Sequence, residues 1–233
     1  MSCLWFLESS YKNKSGDSFT GLYSEELSKK VDWINSDLKK ILLQNIKPKE
    51  AYAIHLLDNL SSLEILTLSD DWLTGGIESE SLFKLYSVDP TNHNDITSLF
   101  VKTIHELNVS ELNKINGSKE IVKVIFKKMI NHKIDIGAAS YEVKDIVDNI
   151  EVEHNDTSTN KYYGRSLNLE VYLSLYYELS DLYDCSRSFS SNATVKLEIK
   201  ELKIREELVS EARKWIVDNF TNTIHLWEWI STF

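Results

Sequence analysis

Chain breakers are scarce in this sequence, with two prolines and seven glycines among 233 residues. Proline interrupts helices and sheets, and glycine supplies the turns that short strands need. A chain with so few of either has few places to reverse, which favours long helices over many strands. Both prolines, Pro48 and Pro90, fall where helical patterns stop. The length is enough to bury a proper core. The expected fold is mainly α: a single multi-helix domain spanning 1–233, with a small β element near the C-terminus.

Apolar spacing locates the helices. From Ser24, an N-cap followed by Glu25 and Glu26, the residues Leu27, Val31, Ile34, Leu38, Ile41 and Leu42 share one face, and the pattern stops before Lys47-Pro48. A second helix starts near Glu50 with Ala53, Leu56, Leu57 and Leu60, and Leu63 to Leu68 either extends it or forms a short strand. Asp95, Ser118 and Ser140 are candidate N-caps for three more. Leu167 to Tyr183 is apolar around nearly its whole circumference, as a central buried helix would be. Further on, Val195, Leu197 and Ile199 alternate with Lys196, Glu198 and Lys200, which is the period of a strand. Residues 205–220 return to a helical pattern, and Ile224 to Ile230 suits a second strand.

The two cysteines, Cys3 and Cys185, have no redox or metal-ligand spacing, so a disulfide framework is not expected. The first eight residues lack a basic segment and hold only a five-residue apolar run, too short for a signal peptide. No stretch approaches the roughly 18 apolar residues of a membrane span. These features point to a cytoplasmic protein with no membrane partner.

Motifs for chemistry are weak. There is no phosphate-binding glycine loop, and HExxH, CxxC and GxSxG are absent. Glu198-Ile199-Lys200, with Asp184 or Asp181 upstream, has the residue types of a D…ExK metal-dependent nuclease site. There the carboxylates would hold a divalent cation, and a strand would place Glu and Lys on one side. Asp184, Glu198 and Lys200 are therefore the set for the alternative reading, a metal-dependent hydrolase or nuclease using dispersed carboxylates. Glu151, Glu153, His154 and Asp156 cluster within six residues, but in a polar stretch where a lone imidazole is usually solvated. His105 lies off the apolar stripe of its helix. Lys119, Lys123 and Lys127 recur every fourth residue and read as a solvated face, which in an acidic protein argues against nucleic acid as a partner. Neither a metal nor a cofactor is expected.

Charge is unevenly distributed. Residues 51–100 hold eight carboxylates and one basic residue, Lys84, and supply −7 of the net −10. Within this window, Asp70-Asp71-Trp72 and Glu78-Ser79-Glu80 flank Gly75-Gly76, read as a mobile loop with an aromatic anchor. Clustered negative charge speeds encounter with basic partners, and aromatic anchors supply contact energy. Asp58, Glu64, Asp70, Asp71, Trp72, Glu78 and Glu80 are the expected partner-binding residues. Inhibitors of nucleic-acid-directed toxins, such as bacterial immunity proteins, share this profile by physical analogy: acidic, without catalytic motifs, and aimed at basic targets. The expected function is non-enzymatic binding, and possible neutralisation, of a basic toxin or enzyme.

Overall fold

The computed structural model describes residues 36–58, 60–153, 164–186 and 191–220. Regular structure among them is helical, in the order α1 (Ser36–Leu42), α2 (Pro48–Asp58), α3 (Ser62–Thr74), α4 (Glu80–Tyr86), α5 (His93–Glu106), α6 (Lys114–Ile130), α7 (Ile136–Glu153), a 3-10 turn (Arg165–Leu167), α8 (Glu170–Ser186) and α9 (Ser191–Phe220). All lie in one unit, Asp32–Phe233. The start of the expected domain, including the helix entry at Ser24, falls outside the described residues.

Local chemistry explains the boundaries. Pro48 opens α2 at the first helical position, where a missing N–H leaves nothing unpaired. Ser61 and Glu64 form a capping box: the Ser61 hydroxyl accepts from the Glu64 N–H, and the Glu64 carboxylate accepts from the Ser61 N–H at 2.7 Å. Leu63 to Leu68 therefore belongs to a new helix and is neither a strand nor an extension of α2. At the other end of α3, the Ile77 N–H donates to the Trp72 carbonyl and the Gly76 N–H to the Leu73 carbonyl. Gly76 has φ +81°, so these bonds make a Schellman closure. Gly75-Gly76 is a hydrogen-bonded turn, not the loose loop expected. α5 and α6 start earlier than their apolar patterns, on Asn92 and Asn113 instead of Asp95 and Ser118.

The central helix is α6, not α8. α6 packs against α1, α2, α7 and α9 and buries Ile121, Val122, Val124, Ile125, Phe126, Met129 and Ile130. The Phe126 ring lies 4.6 Å from Tyr172 and 5.4 Å from Trp215, centroid to centroid. The polar ends of these aromatics are satisfied, with Trp215 Nε1 donating to the Leu167 carbonyl at 2.8 Å and the Tyr172 hydroxyl 2.8 Å from Ser140 Oγ. α8 contributes Tyr172, Leu173 and Leu179 to the core but leaves Val171 and Tyr177 exposed. Tyrosine carries a polar tip that water can solvate, so a ring of tyrosines around a helix does not require burial all round.

No strand occurs among the described residues. Val195 to Lys200, expected as a strand, lies inside the 30-residue helix α9. The apparent period of two does not mark a buried face, because Leu197 is only half-buried and Ile199 is exposed. Ile204 and Leu208 face the core, whereas Ile199 and Leu202 are exposed. Ion pairs one turn apart, Glu201 to Arg205 at 2.9 Å and Lys203 to Glu207 at 3.6 Å, support the helical alternative. The second expected strand, 224–230, lies outside the described residues.

Candidate protein-binding surface

The acidic window divides into carboxylates that serve the fold and carboxylates that do not. Glu64 is held by its capping box and by Lys39 at 3.4 Å. Asp89 accepts from the Thr91 N–H and hydroxyl at 2.8 and 2.7 Å, which holds its carboxyl below the usual range. Asp95 closes the first turn of α5 with Asn92. Asp58 is the last residue of α2, and its side chain lies outside the described residues.

Asp70, Asp71, Glu78 and Glu80 remain, all exposed around the corner from α3 to α4. Among the described residues, Asp70, Asp71 and Glu78 enter no ion pair, and Glu80 pairs only with exposed Lys84 one turn away, at 2.5 Å. Asp71 sits in the last turn of α3, which has no basic residue, and Asp70 directly precedes that turn. The C-terminal end of a helix carries partial negative charge, so carboxylates there oppose the macrodipole. Among the described residues, the corner thus holds negative charge that only Lys84, paired with Glu80, offsets.

Trp72 takes no part in the exposed surface. It is 4% exposed, stacks on Phe100 at 6.2 Å and donates from Nε1 to the Ile46 carbonyl at 3.0 Å. An aromatic contact at this corner instead comes from Phe83 and Tyr86, which are 55% and 70% exposed. Both lie on α4, three residues apart and so on one face. Its opposite side buries Leu82 and Leu85. Glu106 fixes α4 in place: the Ser81 N–H and hydroxyl donate to its carboxylate at 2.8 and 2.5 Å, holding that carboxyl below its usual range. With Leu73, Thr74 and Glu78, the two rings line a surface cavity of about 440 Å³. Four apolar residues within Leu82-Phe83-Lys84-Leu85-Tyr86 exceed what one buried face of a seven-residue helix can use, and that excess was the sequence signal for an exposed aromatic pair.

The alternative catalytic set does not assemble as a D…ExK site. Glu198 and Lys200 are exposed on α9, where residues two apart point in nearly opposite directions. Lys200 pairs with Glu178 of α8 at 2.9 Å. Asp184 belongs to α8, and its side chain lies outside the described residues. No group of three or more His, Cys, Asp or Glu side chains that could hold a metal occurs among the described residues. His154 and Asp156 fall outside them. His105 is exposed on α5, and Ser62 Oγ lies 2.7 Å from His93 Nδ1, tying the start of α3 to the start of α5.

The lysine row is not the solvated face it resembled. Glu120 is 2% exposed and pairs with Lys49 at 2.5 Å and with Lys123. Glu50, also buried, lies 3.6 Å from Lys123 and 3.8 Å from Lys127. Lys119 donates to Asn219 Oδ1 at 3.1 Å, and the Lys123 ammonium sits 4.6 Å over the Phe220 ring. Burial pulls the Lys127 ammonium below its usual value, only partly opposed by Glu50. The row is the charged half of an ion-pair seam between α2 and α6.

No family model, curated protein or solved structure matches this chain. No helix among the described residues is long and apolar enough to cross a membrane.

Proposed function

We propose that this protein binds a basic protein through the corner formed by the end of α3, the Gly75-Gly76 turn and α4. The observation that carries the reading is the coincidence there of unneutralised carboxylates, Asp70, Asp71 and Glu78, with two exposed aromatic rings, Phe83 and Tyr86. Charge of one sign at a surface accelerates capture of an oppositely charged partner, and aromatic anchors supply short-range contact energy. An inhibitory role, masking the nucleic-acid-binding face of a basic toxin or enzyme in the cytoplasm, fits this chemistry because such a face is necessarily cationic.

The test compares partner capture at about 50 mM and about 500 mM salt, where the screening length falls to a few ångströms. It uses the wild-type chain and the variant carrying Asp70→Asn, Asp71→Asn, Glu78→Gln and Glu80→Gln. The expected result is a basic partner whose association rate drops at least about tenfold in high salt and in the neutralised variant alike. A partner bound equally fast by both proteins at both salts would remove the acidic corner from the account.

A further inference from the structure

The cavity between α3 and α4 has a composition that selects one kind of guest. It is an open depression lined by Leu73, Thr74, Glu78, Phe83 and Tyr86. The cavity lined by Asn168, Glu170 and Trp215 includes Lys214; that beside Met129 includes Lys133 and Arg205; that between α1 and α7 includes Lys133. Among the described residues, the α3–α4 cavity has no basic group in its wall. We propose that it seats a cationic side chain, arginine or lysine, presented by the basic partner inferred above; this assignment rests on that reading.

Each component of the wall matches a part of such a side chain. Aromatic faces carry the negative lobe of the ring quadrupole and attract a guanidinium or ammonium placed over them. Phe83 and Tyr86 lie on one face of α4 and are more than half exposed, so their rings are accessible. Leu73 offers apolar surface to the methylene stem, which long cationic side chains bury readily. Glu78 supplies a carboxylate for a charge-assisted hydrogen bond. Leu73 and Thr74 belong to the last turn of α3, so the negative end of that helix borders the same space. An anionic or purely apolar guest would leave the carboxylate and the helix end without a counter-charge.

The experiment needs no partner protein. The full chain is titrated with N-acetyl-arginine amide, N-acetyl-lysine amide and N-acetyl-citrulline amide while amide resonances are followed by NMR. Citrulline keeps the shape of arginine and removes its charge. The expected result is saturable shifts centred on Leu73, Thr74, Glu78, Phe83 and Tyr86 with both cationic probes, and binding of citrulline amide at least tenfold weaker. Tyr86→Leu keeps apolar cover at a position 70% exposed and should abolish the saturable shifts; Glu78→Gln should weaken them severalfold. Equal binding of arginine and citrulline probes, or shifts spread evenly over the acidic window, would overturn the assignment. If the cationic probes saturate the cavity but no basic partner is captured, the cavity assignment stands and the binding function falls. A partner captured by the acidic corner with a rate and affinity unchanged by Tyr86→Leu leaves the function standing and removes the cavity.

Discussion

The seam between α2 and α6 and the corner between α3 and α4 both carry carboxylates and treat their charge in opposite ways. At the seam, Glu50 and Glu120 are buried and every lysine that reaches them is paired. At the corner, Asp70, Asp71 and Glu78 face water with no partner among the described residues. Removing a charge from water carries a desolvation penalty that only close opposite charge and hydrogen bonds can offset. The seam accepts that penalty and couples two helices in one register. The corner avoids it and leaves its field directed outward. Within the acidic window, the charge left for an outside partner is therefore the part that the fold does not consume.

The comparison breaks most sharply at Glu120. Replacing it by Gln leaves Lys123, nearly buried, with only Glu50 at 3.6 Å and removes the carboxylate that Lys49 pairs with, and weakening a buried pair in this way costs up to about 3–5 kcal/mol. Chemical denaturation at neutral pH should report that loss. Its pH dependence has a definite sign. Burial alone would push the Glu120 carboxyl up, but hydrogen bonds from Lys123 and Lys49 outweigh it and hold the group below its ordinary value of 4.5. A carboxyl with a depressed folded value contributes stability that is present above its unfolded value and lost as pH falls through the folded one. The gap between wild type and Glu120→Gln should thus be full above about pH 4.5 and narrow below it. A gap unchanged in acid would mean that the ionised carboxylate is not what stabilises the seam.

A smaller effect is expected at the turn that shapes the corner. An alanine Cβ at Gly76 would meet no atom within 4 Å, so any cost comes from the backbone and not from crowding. With φ at +81°, that cost should be about 1–2 kcal/mol in Gly76→Ala. Thermal unfolding checks it. An alanine accepted without loss would mean that the closing turn of α3 is not held in the left-handed conformation, and that the wall formed by Leu73 and Thr74 is less fixed than its hydrogen bonds imply.

Sequence reasoning recovered the helical class and most of the buried stripes, because a period of 3.6 records burial directly. Ile96, Phe100, Thr103 and Ile104 are buried on α5 as their spacing requires, as are Val143, Ile146, Val147 and Ile150 on α7. Helix ends were harder to read. Asn92 and Asn113 cap helices several residues before the apolar pattern begins, and Asn108 and His132, at φ +54° and +55°, follow α5 and α6 where glycine would have been the obvious signal. The α9 error has a related cause. Glu and Lys tolerate a helix at any exposed position, so Lys196, Glu198 and Lys200 between Val195, Leu197 and Ile199 gave a false period of two inside α9. At the candidate site, charge was legible and exposure was not. Four of the seven nominated residues, Asp70, Asp71, Glu78 and Glu80, stand at the corner, but Trp72, read as its aromatic anchor, is buried, and the exposed rings there are Phe83 and Tyr86, which the sequence reading did not single out. Trp72 is claimed by Phe100 and by the Ile46 carbonyl, contacts 28 and 26 positions away that no local pattern records.

The smallest expected effect is the most discriminating for the corner, because its sign is opposite to that of a structural residue. Asp70 and Asp71 lie at the negative end of α3 without a partner among the described residues, so they work against the helix that carries them. Neutralising both, as Asp70→Asn with Asp71→Asn, should raise stability by about 0.3–1 kcal/mol at low ionic strength, most of it from Asp71 in the last turn. The gain should shrink as salt screens the interaction. Urea denaturation at two salt concentrations measures both the sign and the screening. A loss of stability would show that these carboxylates are consumed by the fold, as Glu120 is, and the contrast between seam and corner would disappear. A gain would mean that the chain tolerates two destabilising charges at a corner where Phe83 and Tyr86 are also exposed. That combination is expected where charge is retained for an interaction outside the molecule.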